Sequence, residues 1–186
     1  FPPSPYINLR NHRKLQIVDG VQAFTGGMNI REQHVVDENE SATNGVQDIH
    51  LSLTGPVVNQ LELTFLEDWG FSTGNYEQNP KEPAQKSGTA ICKSITVGPD
   101  ENLNKLSKIL EGTISLSKSR VSIMTPYFLP TRELIGALQS AALKGVEVNV
   151  VLPAKNNLIY VHWATRNMLW EMLQYGVRVF YQPPPF

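Results

Sequence analysis

The sequence is short of almost everything that would mark a special environment. It has one cysteine, Cys92, among 186 residues. A lone thiol excludes an internal disulfide and a cysteine-based zinc site, and says little about compartment. Apolar runs are only a few residues long, which excludes a membrane-spanning helix within the sequence. Excess charge is also missing: 16 basic residues meet 17 acidic ones for a net charge of −1. A general nucleic-acid coat needs a basic surplus, so nucleic acid is not an expected partner. There is no initiating Met and no signal peptide. Phe1-Pro2-Pro3 opens the chain and Pro185-Phe186 closes it just after a strand-like stretch, so both ends read as cut from a longer protein.

What is present describes an ordinary globular chain. Hydrophobic residues make up 41% and charged residues 18%, too apolar a mixture for disorder. The length suits one large domain or two small ones and suffices for a real core. Charge is unevenly spread. Residues 1–31 carry +3 (four basic, one acidic), residues 32–82 carry −9 (one basic, ten acidic), and residues 83–186 carry +5 (eleven basic, six acidic). The cluster Arg10, His12, Arg13, Lys14 therefore stands beside an acidic middle; it is either a solvated face or an anion site.

Periodicity predicts strands over 12–18, 21–25 and 48–53, the first ending at the turn signal Asp19-Gly20. Gly55-Pro56 opens a helix with Val58, Leu61, Phe65 and Trp69 on one apolar face. Residues 72–90 are polar, with Gly and Pro, and read as a linker where proteolysis should cut first. Strand and helix then alternate: a strand at 91–97, a helix capped by Asp100 and carrying Leu103, Leu106, Leu110 and Ile114, and a strand at 121–125. A helix over 131–144 ends at Gly145, a strand covers 146–152, a helix through Trp163, Met168 and Met172 ends at Gly176, and a strand covers 177–181. That order implies an α/β fold with a largely parallel sheet and helices on both faces.

The chemistry concentrates in the first thirty residues. His12 and Lys14, two apart on a strand, share a face, so an imidazole stands beside a fixed positive charge. The ammonium can hold a phosphate while the imidazole attacks phosphorus or moves a proton. Asp19 follows four residues on, and Gly26-Gly27-Met28-Asn29 follows six after that. The glycines would let backbone N–H groups approach an anion and Asn29 would add an amide donor. By itself His-x-Lys is common and Gly26-Gly27 would be only a turn.

The whole pattern, His-x-Lys, four residues, Asp, six residues, Gly-Gly-x-Asn, closely resembles the first HKD motif of the phospholipase D superfamily, and in context it is most similar to bacterial cardiolipin synthases. Three further stretches carry the resemblance: Asp48-Ile49-His50-Leu51 through Gly55-Pro56-Val57, Phe65 to Trp69, and Thr125-Pro126-Tyr127-Phe128-Leu129-Pro130. It implies a phospholipase D-like mixed β-sheet flanked by helices. Residues 1–71 would be the C-terminal part of a first half with the motif, 72–90 the linker, and 91–186 an incomplete second half that stops before its own motif. None of His34, His50 and His162 has a lysine two residues later.

The resemblance further implies that His12 forms a phosphohistidine and that Lys14 and Asn29 hold the phosphate oxygens. The family has Ser or Gly at position 27, so here the Gly27 backbone amide would serve, beside Gly26. Asp19, of opposite strand parity to His12, is the motif's turn and structural residue, and Asp48 is the candidate for orienting the imidazole unless it is merely a strand-end surface residue. His50 reads as a surface or packing histidine. No metal, nucleotide or other cofactor is implied. The implied activity is phosphatidyl transfer between phosphatidylglycerol molecules, in a protein associated with the cytoplasmic membrane through segments outside this sequence, this part being soluble. The sequence by itself is then expected to bind headgroups without turnover. Two rivals stand beside this: a phosphodiesterase or nuclease of the same superfamily whose site is completed by homodimerisation, and a non-catalytic lipid- or partner-binding module.

Overall fold

A computed structural model describes residues 11–31, 34, 46, 48–76, 85–86, 88–97, 104–155 and 158–184. Two units are distinguished within the chain, Phe1–His34 with Asp48–Ile95, and a second built around Thr96–Phe186.

The first unit grows from one tight turn. Asp19 and Gly20 both take positive φ, 53° and 70°, and the Val21 N–H donates to the Val18 carbonyl at 3.1 Å. Two successive positive φ values match the twist of a hairpin. Strands β1 (Leu15–Val18) and β2 (Gln22–Gly26) are therefore antiparallel, and β3 (His50–Thr54) adds antiparallel to β2. A largely parallel sheet, expected from the alternation further along the chain, is not what residues 15–54 form. A hairpin turn reverses the chain and leaves only antiparallel pairing.

Ile17 pairs with Ala23, and Ala23 with Leu53, placing all three on one face; Ala23 is fully buried. Helix α1 (Val57–Thr73) packs on this sheet, with Val57 and Val58 buried. It ends at Gly74, whose φ is 75° and whose N–H donates to the Gly70 carbonyl at 2.8 Å. The predicted apolar face is covered only at its start: Phe65 and Trp69 are about half exposed and stack on each other with centroids 6.2 Å apart. The reason is length. Seventeen helical residues span about 25 Å, whereas a five-residue strand spans about 17 Å, so the end of α1 overhangs.

The strand expected at 91–97 does not form. No described strand pairs with it, Ile91 is fully exposed, and the Ser94 N–H is taken by the Gln60 side chain of α1 at 2.9 Å.

In the second unit the alternation is real. Its elements are α2 (Lys105–Leu116), β4 (Arg120–Met124), α3 (Arg132–Leu143), β5 (Glu147–Pro153), α4 (Ile159–Leu173) and β6 (Arg178–Gln182). The strands are parallel in the order β4-β5-β6. Consecutive crossovers of one hand, stepping the same way across a sheet, put their helices on the same side. α3 and α4 accordingly touch each other and cover one face, over Val148, Val150, Leu152, Leu138 and Met172. Helices on both faces are expected from the sequence; among the described residues of this unit they lie on one. On the other face Glu147 pairs with Arg120 and Arg178, and Met124 and Phe180 are about half exposed.

Thr131 caps α3, accepting from the Leu134 N–H at 3.3 Å, and Gly145 and Gly176 follow α3 and α4 with φ of 85° and 88°. Asp100 and Leu103, expected to start α2, lie outside the described residues. Trp163, expected to face inward with Met172, is largely exposed, while Met172 is fully buried. Nine residues at about 100° each place the two on opposite sides of a helix. Among the described residues no helix is long and apolar enough to cross a membrane.

Candidate functional site

All the residues expected to carry chemistry fall in the first unit, and all but Asp19 lie at or near the edge where β1 begins, β2 ends and β3 begins. His12, Arg13 and Lys14 lie just before β1 rather than within it. The Lys14 ammonium folds back and donates to the carbonyl of His12 at 2.7 Å, which brings the fixed positive charge to the imidazole-bearing residue. His12 is exposed, and no described residue hydrogen-bonds its ring.

The segment is anchored from its other side. Asn11 Nδ2 donates to Asp68 Oδ2 at 2.7 Å, and Arg13 Nη1 donates to Asp68 Oδ1 at 2.5 Å. The Arg13 N–H donates to Asn11 Oδ1 at 2.9 Å. Asp68 belongs to α1, so one helical carboxylate holds both neighbours of His12.

Gly26 and Gly27 are needed for space. Gly26 pairs with His50 across β2 and β3. A Cβ on Gly26 would stand 2.7 Å from His50 Cα and Nδ1, and closer still to the Ile49 carbonyl. A Cβ on Gly27 would collide with both oxygens of Asp48. The Asp48 carboxylate therefore lies directly against Gly27, with its Oδ1 accepting from the Ile49 N–H at 2.8 Å. The Gly27 N–H, expected as an anion donor, is instead given to the Ile49 carbonyl at 3.1 Å. The sheet ladder continues one residue past β2 and takes up that amide, and the missing side chain of Gly27 leaves room for Asp48.

Asn29 follows on an exposed loop, its carbonyl accepting from the Arg31 N–H at 3.0 Å. Asp19 sits at the hairpin turn, at the far end of β1 from His12. The structure thus brings Lys14 to His12, Asp48 to Gly27, and His50 to Gly26, and it leaves Asp19 in the turn.

Of the two readings of His50, surface or packing, the structure gives packing: its Nδ1 is buried against Gly26 and has no partner among the described residues. Sequence reasoning missed one feature. Asp68 was read only as part of a family stretch. A signal was available, because Asn11 and Arg13 alternate with His12 and Lys14 and must point the opposite way. Among the described residues no group of three metal-ligating side chains converges.

This unit, with an imidazole, an ammonium and a carboxylate gathered at one sheet edge, is joined in sequence to a parallel α/β unit. Residues 110–186, most of that second unit, match the family described as cardiolipin synthase, PLD-like domain. Along nearly its whole length the chain is also similar to proteins named cardiolipin synthase. It is 32% identical to cardiolipin synthase 2 of Staphylococcus epidermidis over 97% of this chain and 38% of that protein. It is 34% identical to a cardiolipin synthase of Alkalihalophilus pseudofirmus over 94% of this chain and 35% of that one. Against cardiolipin synthase 2 of Bacillus anthracis the identity is 32%, over 94% and 34%. The chain thus spans little more than a third of the length of these relatives, and the alignments include the first unit as well as the second.

Proposed function

We propose that this chain belongs to a phosphatidyltransferase that joins two phosphatidylglycerol molecules into cardiolipin and releases glycerol, working at the surface of an anionic membrane. The observation that carries the proposal is the return of the Lys14 ammonium to the backbone of His12, which sets a fixed cation beside an unhindered imidazole.

In this reading the His12 ring attacks phosphorus and a P–N bond forms. The P–O bond to glycerol breaks, and the leaving oxygen takes a proton from a general acid. A hydroxyl of the second lipid then attacks the same phosphorus and gives its proton back, the P–N bond breaks, and His12 is restored. Lys14 and the Asn29 amide meet the charge that gathers on the non-bridging oxygens as the transition state forms. Asp48, lodged against Gly27 with one oxygen bound to its own chain, orients the imidazole through the other. Asp19 serves through the turn that starts the hairpin. His12 cannot attack and protonate in one step, and acid catalysis is typically worth ~10²–10⁴ in rate. The family resemblance assigns that acid to a second histidine-lysine motif.

The test is lipid turnover. The longer phosphatidyltransferase that contains this chain and a second histidine-lysine motif is incubated with vesicles of phosphatidylglycerol, products are separated, and the protein is quenched for mass analysis; residues 1–186 alone, run beside it, should bind the headgroup without turnover. Cardiolipin and glycerol should appear in equal amounts, with a phosphatidyl adduct on His12, and His12→Ala should abolish both. Phosphatidic acid in place of cardiolipin would mean that water is the acceptor and would favour a phosphodiesterase.

A further inference from the structure

We propose that Asp68 is a positioning residue for His12. It is a carboxylate on α1 that fixes the direction of the imidazole without touching it. The inference rests on the reading of His12 as the nucleophile.

The segment 11–14 enters β1, where side chains alternate. Ile17, and by parity Leu15, lie on the α1 side, where Ala23 is buried; Gln16 lies on the other. Carried back, this parity places Asn11 and Arg13 on the α1 side. They are found there, each on one oxygen of Asp68. The link from the Arg13 N–H to Asn11 Oδ1 closes the segment between its two anchors. With residues 11 and 13 tied to the helix, residues 12 and 14 have only the opposite side left. There the Lys14 ammonium reaches the His12 carbonyl, and there Gly26 carries the His50 ring.

The strength of the anchor follows from its form. A guanidinium and an amide share the two oxygens of one carboxylate, so rotation is blocked in a way a single contact would not achieve. The Arg13–Asp68 pair is about two-thirds buried on both sides. No described residue holds the His12 ring itself. The backbone that carries the proposed nucleophile is therefore held by Asp68, so the ring that Asp48 would orient starts from a fixed segment. Displacing a reacting group by about 1 Å can cost ~100-fold in rate.

The experiment compares wild type with Asp68→Asn, Asp68→Ala and the exchange Arg13→Asp with Asp68→Arg, in two arms. The first is cardiolipin formation from phosphatidylglycerol vesicles. Both single variants should lower kcat about 10- to 100-fold while KM stays within about twofold, and the exchange should recover at least half of the loss on a logarithmic scale. The second arm needs no turnover: NMR relaxation of the His12 amide and ring. The single variants should become mobile at residues 11–14 alone, with the order parameters of β2 and β3 and the Tm unchanged. An Asp68→Ala protein with wild-type kcat and a rigid His12 overturns the proposal. So does a loss spread evenly over the whole unit with a lowered Tm, which marks a merely structural carboxylate. The first arm uses the longer protein that includes the second histidine-lysine motif; if its wild type makes no cardiolipin, the reading of the reaction fails, and the NMR arm, run on residues 1–186, decides the role of Asp68 separately.

Discussion

Adding one carbon at Gly26 should do far more harm than adding it at Gly27, although the two are adjacent and similarly placed. At Gly26 the new Cβ would meet backbone, the Ile49 carbonyl and His50 Cα, together with the buried His50 ring. The two backbone atoms cannot move without shifting β3 from β2. Forced overpacking of this kind typically costs about 1–3 kcal/mol, and a backbone collision belongs at the upper end. Replacing Gly by Ala returns about 0.4–1 kcal/mol by restricting the unfolded chain. The net for Gly26→Ala is then about 2 kcal/mol. In a unit of this size each kcal/mol moves Tm by roughly 4–8 °C, so the unit should melt about 10 °C lower. At Gly27 the obstacle is the exposed Asp48 carboxylate, which can rotate away. Its hydrogen bond to the Ile49 N–H is lost, a matter of about 1 kcal/mol. The same entropic gain offsets that, leaving Tm within a few degrees. Gly27→Ala should instead damage catalysis, since Asp48 is the group displaced. Scanning calorimetry suits the measurement because it can separate the transitions of two units. Equal melting shifts for Gly26→Ala and Gly27→Ala would refute the reasoning, since a backbone obstacle and a rotatable side chain would then count alike.

Further outcomes follow from the second unit and from the hairpin. Met172→Ala removes a fully buried side chain from the core and should cost about 2–5 kcal/mol in denaturant melts. Thr165 is buried and donates to the Phe128 carbonyl at 2.9 Å; Thr165→Val leaves that oxygen unpaired and should cost about 1–3 kcal/mol, whereas Thr165→Ser should be milder. The carboxyl of Glu147 is held below its ordinary value of 4.5 by the hydrogen bond from Asn149 and by Arg120 and Arg178. A lowered folded-state value means stabilisation that is complete above pH 4.5 and lost as pH falls through the folded value, so Glu147→Gln should flatten the acid limb of the second unit's stability curve. Asp19→Gly should leave the hairpin intact, because its φ of 53° is one that glycine adopts freely; Asp19→Val should destabilise it, as read by circular dichroism.

Legibility differed between the two halves for a physical reason. In residues 120–182 each strand carries at least three apolar residues and α3 and α4 are each followed by a glycine, so element order and helix ends could be read from pattern, and the alternation of strand with helix pointed to parallel pairing. What pattern could not give was the side on which the helices lie. That depends on handedness and strand order, and sequential steps put α3 and α4 together. In residues 12–54 the turn at Asp19-Gly20 was legible, but the parallel order inferred from later residues did not extend back to it. The segment 91–97 looked like a strand because it alternates, yet alternation supplies no partner, and its backbone went to Gln60. At the candidate site His12, Lys14 and the glycines were visible through their spacing. The reason for the glycines was not, because it comes from residues twenty or more positions away in the sequence, Asp48 to His50.

Asp48 illustrates how two readings that compete in a sequence can be compatible in a structure. As a strand-end residue its task is local: one oxygen accepts the N–H of Ile49, a backbone donor at the entrance to β3. As an orienting group its task is to accept from an imidazole. A carboxylate has two oxygens and about four acceptor sites, so the first bond does not exhaust it. The local bond in fact prepares the second. A free aspartate would spread over several rotamers, but one oxygen tied to its own backbone, with Gly27 beneath it, leaves the other fixed in direction. In the proposed reading, the residue that looks ordinary because it caps its own strand is the carboxylate that orients His12. The same logic applies at Asp68, where two structural hydrogen bonds on one side of the chain determine what is available on the other.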